Sequence, residues 1–355
     1  MEQVIEELKA LTEGTKPEWP TIPANKWLAR SAMQKAIRRG RTTEAWSCAD
    51  VLFNDDKAYA WRALSTCIVE DVGLGDVDLL AYSTLITLST VTNKMPSPKK
   101  LFFALIERAC KSVKTRSACE LSLGAEKDLT IDWNEFRHRA TEDLIETMFS
   151  TAMAPTLYAA TSVVRSRCRS DQSGALLQTV LNRVMEAVTD PALARATMLS
   201  FERNVDTMNL SIWPLVARKM FENPTPAVQP DVMPVEVMIG GVSSAAFDMH
   251  TQQGKSAIKA LHTSLCKKGV VEFQALSGLK GTDVIRALGS IVFILEGGQI
   301  DRRLVSIRLN ALKQYQDQNF ARAYGVPGAL YESLLKIVGE NFEALNAKRV
   351  WAYSL

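Results

Sequence analysis

Apolar residues in this chain recur every three to four positions, seldom every two, and the pattern holds in segment after segment. Between 26 and 39, Leu28, Met33 and Ile37 keep near-helical spacing, while Arg30, Lys35, Arg38 and Arg39 supply a charged flank that Gly40 closes. The same period predicts helices over 43–53, 58–70 and 77–91, the last capped by Asp76, and over 100–109 and 115–123. Beyond a boundary at 128–134 it predicts 135–153, 155–168, 174–188 and 191–199, then 283–295, 301–315 and a last helix from about 329. A short helix at 2–11 and a proline-rich link at 12–23 come first, and four prolines between 222 and 236 mark a long loop. Strand patterns are scarce, with 270–273 the main one. The chain therefore reads as all-α, with an N-terminal arm at 1–24 and two packed helical lobes at 25–128 and 129–355. No internal repeat stands out at the periods of solenoids.

Composition narrows the function classes. With 355 residues, 47% of them hydrophobic, the chain can bury a sizeable core. A net charge of +3, from 42 basic and 39 acidic residues, does not announce nucleic-acid binding, so any such binding must come from local clusters. The six cysteines form no CxxC pair, which excludes a zinc site of the usual spacing and reads as buried thiols in a reducing compartment. The start of the chain is acidic and amphipathic rather than a secretory signal, and no apolar run is long enough to span a bilayer. A cytoplasmic protein with no membrane partner is expected.

Positive charge is gathered in several places. Lys35, Arg38, Arg39 and Arg41 fall at a predicted helix C-terminus, where the macrodipole already favours cations; the functional alternative is an edge that contacts phosphates. Lys111, Lys114 and Arg116 make a second cluster. Arg165, Arg167 and Arg169 alternate with small or apolar residues, so on a helix they spread around the axis. Lys94, Lys99 and Lys100 sit beside prolines and read as a solvated loop. Lys255, Lys259 and His262 share a helix face that Asp248 or Thr251 would cap. Trp27, Trp46, Trp61 and Tyr59 surround the basic first lobe; exposed rings there would stack on single-stranded bases, although their size favours burial for most.

Catalytic signals are weak. Asp248 and His250 are the nearest approach to a pair, with Ser243, Ser244 and Ser256 nearby, but no triad spacing or GxSxG elbow supports them. Gly254-Lys255-Ser256 ends like a phosphate loop, yet Met249 stands where its first glycine belongs. The acidic pairs Asp55-Asp56, Glu70-Asp71 and Asp76 with Asp78 lack EF-hand spacing and suit helix starts. No catalytic residue, metal or cofactor is expected.

The segment 31–40, SAMQKAIRRG, and the turn 70–76, EDVGLGD, resemble the helix hairpin and acidic turn that follow the ATPase core in clamp-loader-like AAA+ proteins of the RarA (MgsA) family. The segment 109–127, ACKSVKTRSACELSLGAEK, is similar to that family's small-residue helix near a Ser-Arg pair, and Asp248-Met249-His250-Thr251 with Gly254-Lys255 resembles its tail. The resemblance implies a clamp-loader collar-like helical region without its motor, self-associating, and acting as a non-catalytic accessory in DNA replication, recombination or repair. Its implied partners are single-stranded or forked DNA, a replisome protein, or both. The expected DNA contacts are Lys35, Arg38, Arg39, Arg41, Lys111, Lys114, Arg116, Lys255 and Lys259. Two other readings stand beside it: a phage-encoded interaction factor that recruits or blocks a host replication or transcription machine, and a nucleic-acid enzyme built on dispersed carboxylates and His250.

Overall fold

The computed structural model describes residues 2–12, 19–150, 154–188, 190–202, 227–279 and 281–354. Helix makes up 73% of it, and two antiparallel sheets of two strands each complete the regular structure, so the protein is predominantly all-α. Among the described residues no helix is long and apolar enough to cross a membrane.

Helix α1 (Glu2–Ala10) lays Val4 and Leu8 into the core of the first lobe rather than standing apart. Burying a leucine this completely is worth about 2 kcal/mol. Helix α2 (Lys26–Arg38) starts at Asn25, whose side chain accepts from the backbone N–H groups of Trp27 and Leu28, and Gly40 turns the chain out with a φ of +67°. Helices α3 (Thr42–Asp55) and α4 (Lys57–Cys67) follow, the second capped by Asp56. The helix predicted over 58–70 loses its α hydrogen bonding at Cys67 and continues as a π turn, Ile68–Val72, which ends at Gly73. Asp76 then caps α5 (Val77–Leu85). The predicted helix over 77–91 stops at Leu85, and its end forms the separate short α6 (Ser89–Thr92). Helix α7 (Pro98–Lys111) contributes Phe102, which meets Trp61 edge-on, and Phe103, which stacks on Trp19, to the same core. Helix α8 (Ser117–Glu126) begins later than its pattern predicts, because the Thr115 N–H donates to Val72 O and Lys114 bridges to Arg303.

A middle group of α9 (Trp133–His138), α10 (Thr141–Ser150), α11 (Ala154–Ser170) and α12 (Ala175–Ala187) gathers Phe136, Leu144, Met148, Val164 and Val184 into a second cluster, while α13 (Pro191–Glu202) returns to α5 and lays Leu193 and Ala196 into the first core. The single helix expected over 135–153 is broken at Arg139; 151–153 lie outside the described residues. So do 222–226 of the proline-rich loop, whose remainder includes β1 (Ala227–Gln229). A tight hairpin of β2 (Met238–Ile239) and β3 (Val242–Ser243) turns at Gly240 and Gly241, both at positive φ.

The last lobe packs α14 (Gln252–Lys267), α15 (Val271–Leu276) and α16 (Gly281–Val292) with α17 (Ile307–Ala323), α18 (Tyr331–Glu340) and α19 (Phe342–Tyr353) around Phe273, Leu288, Leu334 and Leu345. The strand expected at 270–273 is the start of α15, where Val270 precedes the helix. The helix expected from 301 is delayed: 303–305 form β4, which pairs with β1 so that Val228 faces Leu304, and Ser306 then caps α17. Gly124 of α8 lets α17 approach closely, since a Cβ there would sit 2.7 Å from the Tyr315 ring.

One local design occurs twice. Arg62-Ala63-Leu64-Ser65 in α4 and Arg286-Ala287-Leu288-Gly289 in α16 each lead into a π turn, Ile68–Val72 and Phe293–Gly297. Each turn carries a fully buried carboxylate, Asp71 in one and Glu296 in the other, and a glycine closes it. Arg38 reaches both turns, donating to Asp71 of one and to Gly297 O of the other, and so marks a seam between the lobes.

Candidate nucleic-acid interface

The predicted basic cluster at the end of α2 lies inside that seam. Arg38 is 1% exposed; its Nε donates to Asp71 Oδ1 at 2.8 Å and its Nη1 donates to Gly297 O of the other π turn. Arg116 approaches the same Asp71 oxygen at 3.2 Å, and both guanidiniums lie over the Phe293 ring, at 5.8 and 5.7 Å. Gln34 donates to Glu70 and Asp71 at 2.9 and 3.1 Å. Burial, reinforced by the neighbouring Asp71, pushes Glu70 above the usual carboxylate range.

Lys35 pairs with Asp248 and also donates to Ser31 Oγ at 2.9 Å. Burial alone would raise Asp248, but the charge and hydrogen bond of Lys35, together with the charge and backbone N–H of His250, outweigh it and hold the carboxyl below its ordinary value. Arg39 donates to Glu236 and, at 3.0 Å, to Glu296 O. Glu236 in turn accepts from Arg41 at 2.6 Å and from Ser243 Oγ. On the far side, Arg349 forms a two-point contact with Glu296 at 3.0 and 2.6 Å.

This geometry removes Lys35, Arg38, Arg39, Lys114 and Arg116 from the surface expected to meet phosphates. Each is less than a tenth exposed, and their charged groups hold carboxylates and carbonyls that would otherwise be buried without partners. Lys114 donates to Cys110 O and Ser112 O, both at 2.8 Å, and burial pushes its amine down to about 8. Arg41 is partly exposed but paired with Glu236 and Glu44. Lys111 is exposed and pairs with Glu107 one turn earlier. Lys255 and Lys259 are exposed on α14, well separated in sequence from the others. The nine expected contacts therefore do not form one surface.

A different surface combines exposed charge with an exposed ring, Trp27, and a half-buried one, Tyr59. Trp46 donates to Phe103 O from the core and Trp61 is 6% exposed, whereas Trp27, in the first turn of α2, is 61% exposed. Its ring meets Tyr59 of α4 edge-on, with centroids 6.2 Å apart, and Lys26 Nζ stands 5.7 Å from its centre. Arg30, one turn along α2, donates to the Tyr59 hydroxyl at 3.3 Å and lies over that ring at 5.7 Å. Lys57 and Arg62 are also exposed on α4. The sequence placed Trp27 and Tyr59 among the stacking candidates but not Arg30, Lys57 or Arg62. Their signal was the i, i+3 spacing of Trp27 with Arg30 and of Tyr59 with Arg62.

The residues considered for catalysis are occupied otherwise. Asp248 uses one oxygen for Lys35 and the other to accept from the His250 backbone N–H at 2.9 Å, so it does not orient the His250 ring. Ser243 Oγ donates to Glu236, and Ser244 Oγ accepts from the Val237 N–H. Among the described residues no three or more His, Cys, Asp or Glu side chains gather to hold a metal ion. The chain matches no family model, no curated protein and no solved structure.

Proposed function

We propose that this protein is a nucleic-acid-binding accessory factor that takes single-stranded DNA across the exposed face formed by the start of α2 and by α4. The observation that carries this reading is Trp27: a large ring, 61% exposed, set beside Tyr59 and flanked by Lys26 and Arg30. A tryptophan left outside a core that takes Trp46 and Trp61 offers a base a stacking surface, and the adjacent cations meet the phosphates on either side of it. Single strands expose their bases for such stacking and duplexes do not, so the arrangement favours single-stranded and forked DNA. The resemblance of 31–40 and 70–76 to the RarA family supports a setting in replication, recombination or repair.

Fluorescence anisotropy with labelled single-stranded, duplex and forked DNA across a salt series tests this. Single-stranded binding should weaken steeply as salt rises, because each phosphate contact releases counterions. Trp27→Ala should weaken it by about 1–3 kcal/mol, the range for losing one stacked base. No binding at low salt would overturn the proposal and redirect the search to protein partners.

A further inference from the structure

A groove of about 730 Å³ opens between α4 and the segment that leads into α7. Lys57 and Arg62 enter it from α4 and Lys99 from the first turn of α7. Thr87, Ser89, Thr92, Asn93 and Ser97 add hydroxyl and amide groups, and Phe53, Trp61 and Pro96 supply an apolar floor. No carboxylate is among the residues that line it. Lys99 is engaged outside that lining, by Asp50 at 2.7 Å and over the Trp19 and Phe103 rings, while Arg62 makes no ion pair among the described residues.

We infer that this groove binds a nucleoside phosphomonoester, either the phosphorylated end of a DNA strand or a free nucleotide. The inference rests on the single-strand reading for the first source and stands without it for the second. A phosphodiester within a strand carries one charge, whereas a terminal phosphate carries about −1.5 to −2 near neutral pH and offers three strong acceptor oxygens. Lys57 and the unpaired Arg62, with several neutral donors along the same wall, suit the second better than the first. The volume lies within the range of about 300–1,000 Å³ typical of small-molecule sites, so a sugar and base fit against the apolar floor behind the phosphate. Position supports the strand-end source as well. Tyr59 and Arg62 are one helical turn apart on α4, about 4.5 Å along its axis, so a strand stacked at Trp27 and Tyr59 reaches the groove within one nucleotide.

The test compares single-stranded oligonucleotides bearing a 5′-phosphate, a 3′-phosphate or neither, labelled internally, against the full chain and its Arg62→Ala and Trp27→Ala variants. Arg62 is exposed, so its removal leaves the fold intact. One phosphorylated end should bind roughly five- to thirty-fold tighter than the hydroxyl end; Arg62→Ala should erase that ratio, and Trp27→Ala should weaken all forms while preserving it. Equal affinity for phosphorylated and unphosphorylated strands would overturn the strand-end source while leaving the single-strand reading intact. Should no strand bind at all, calorimetric titration with a nucleoside monophosphate decides alone. Binding that Arg62→Ala abolishes supports the groove as a nucleotide site, and absence of heat with the wild-type protein overturns the inference.

Discussion

Lys26, Trp27 and Arg30 at the start of α2 differ little in composition from Lys35, Arg38 and Arg39 at its end, and almost completely in surroundings. The end of the helix runs into the seam between two π turns, where every cation meets a buried carboxylate or carbonyl. The start projects past the core, where the partners of Lys26 and Arg30 are Asp55 at 3.6 Å and the Tyr59 hydroxyl. A basic cluster on a helix is therefore not one kind of object. Its buried half fixes how two lobes meet, and its exposed half is available for a ligand.

Removing charge from the two halves should have very different consequences, and the largest is at the seam. Asp71→Ala leaves Arg38 and Arg116 buried with their shared partner gone, and should cost about 3–5 kcal/mol in urea unfolding. The double reversal Arg38→Glu with Arg39→Glu should yield a protein without cooperative unfolding, because it faces Asp71 and Glu236 with new negative charge in the same buried space. Arg62→Ala should stay within about 0.5 kcal/mol of wild type. Similar stability losses for Asp71→Ala and Arg62→Ala would erase the contrast between the seam and the exposed face that α4 shares with the start of α2.

A smaller and pH-dependent effect belongs to Glu236, the carboxylate that Arg39, Arg41 and Ser243 share. Burial raises this group, but the Arg39 charge, the Ser243 hydrogen bond and Arg41 outweigh it and hold it below its ordinary value of 4.5. A depressed carboxyl contributes stability that is fully present above the unfolded-state value and is lost as pH falls through the folded one. Glu236→Gln should thus destabilise by about 1.5–3 kcal/mol at pH 7, the scale of hydrogen bonds to a charged group. The gap between wild type and variant should stay level down to about pH 5 and narrow below it. A gap that widens with acid would show that Glu236 is not held ionised by the end of α2.

Much of the helical framework is legible in the sequence, because caps and stops are local. Asp76 caps α5, Gly40 takes the left-handed conformation after α2, and both follow from residue type and immediate neighbours. The seam is not legible, because its partners are remote: Asp71 lies 33 residues from Arg38, Glu236 lies 197 from Arg39 and Asp248 lies 213 from Lys35. The π turns escape a periodicity reading for a related reason. The acidic turn is shaped by what it packs on, since a Cβ at Gly75 would lie 2.1 Å from Val113 O and one at Gly73 2.6 Å from Thr115 O. The delayed start of α17 has the same origin. Arg303 is drawn into β4 by Glu120 and Asp231, each at 2.8 Å, and neither is a sequence neighbour.

The smallest effect tests the exposed half alone. Asn25 accepts from the N–H groups of Trp27 and Leu28 at 3.1 and 3.0 Å, so it fixes the turn that presents the Trp27 ring. Asn25→Ala should cost about 1 kcal/mol of stability, and Asn25→Ser almost none, because serine caps as well as asparagine. If the start of α2 binds single strands as a preorganised platform, Asn25→Ala should also lower DNA affinity, since part of the binding energy must then re-form a frayed first turn. Asn25→Ser should restore it. Affinity that ignores the cap while stability follows it would mean that Trp27 is exposed without being used, and the strand would have to be sought elsewhere on the first lobe.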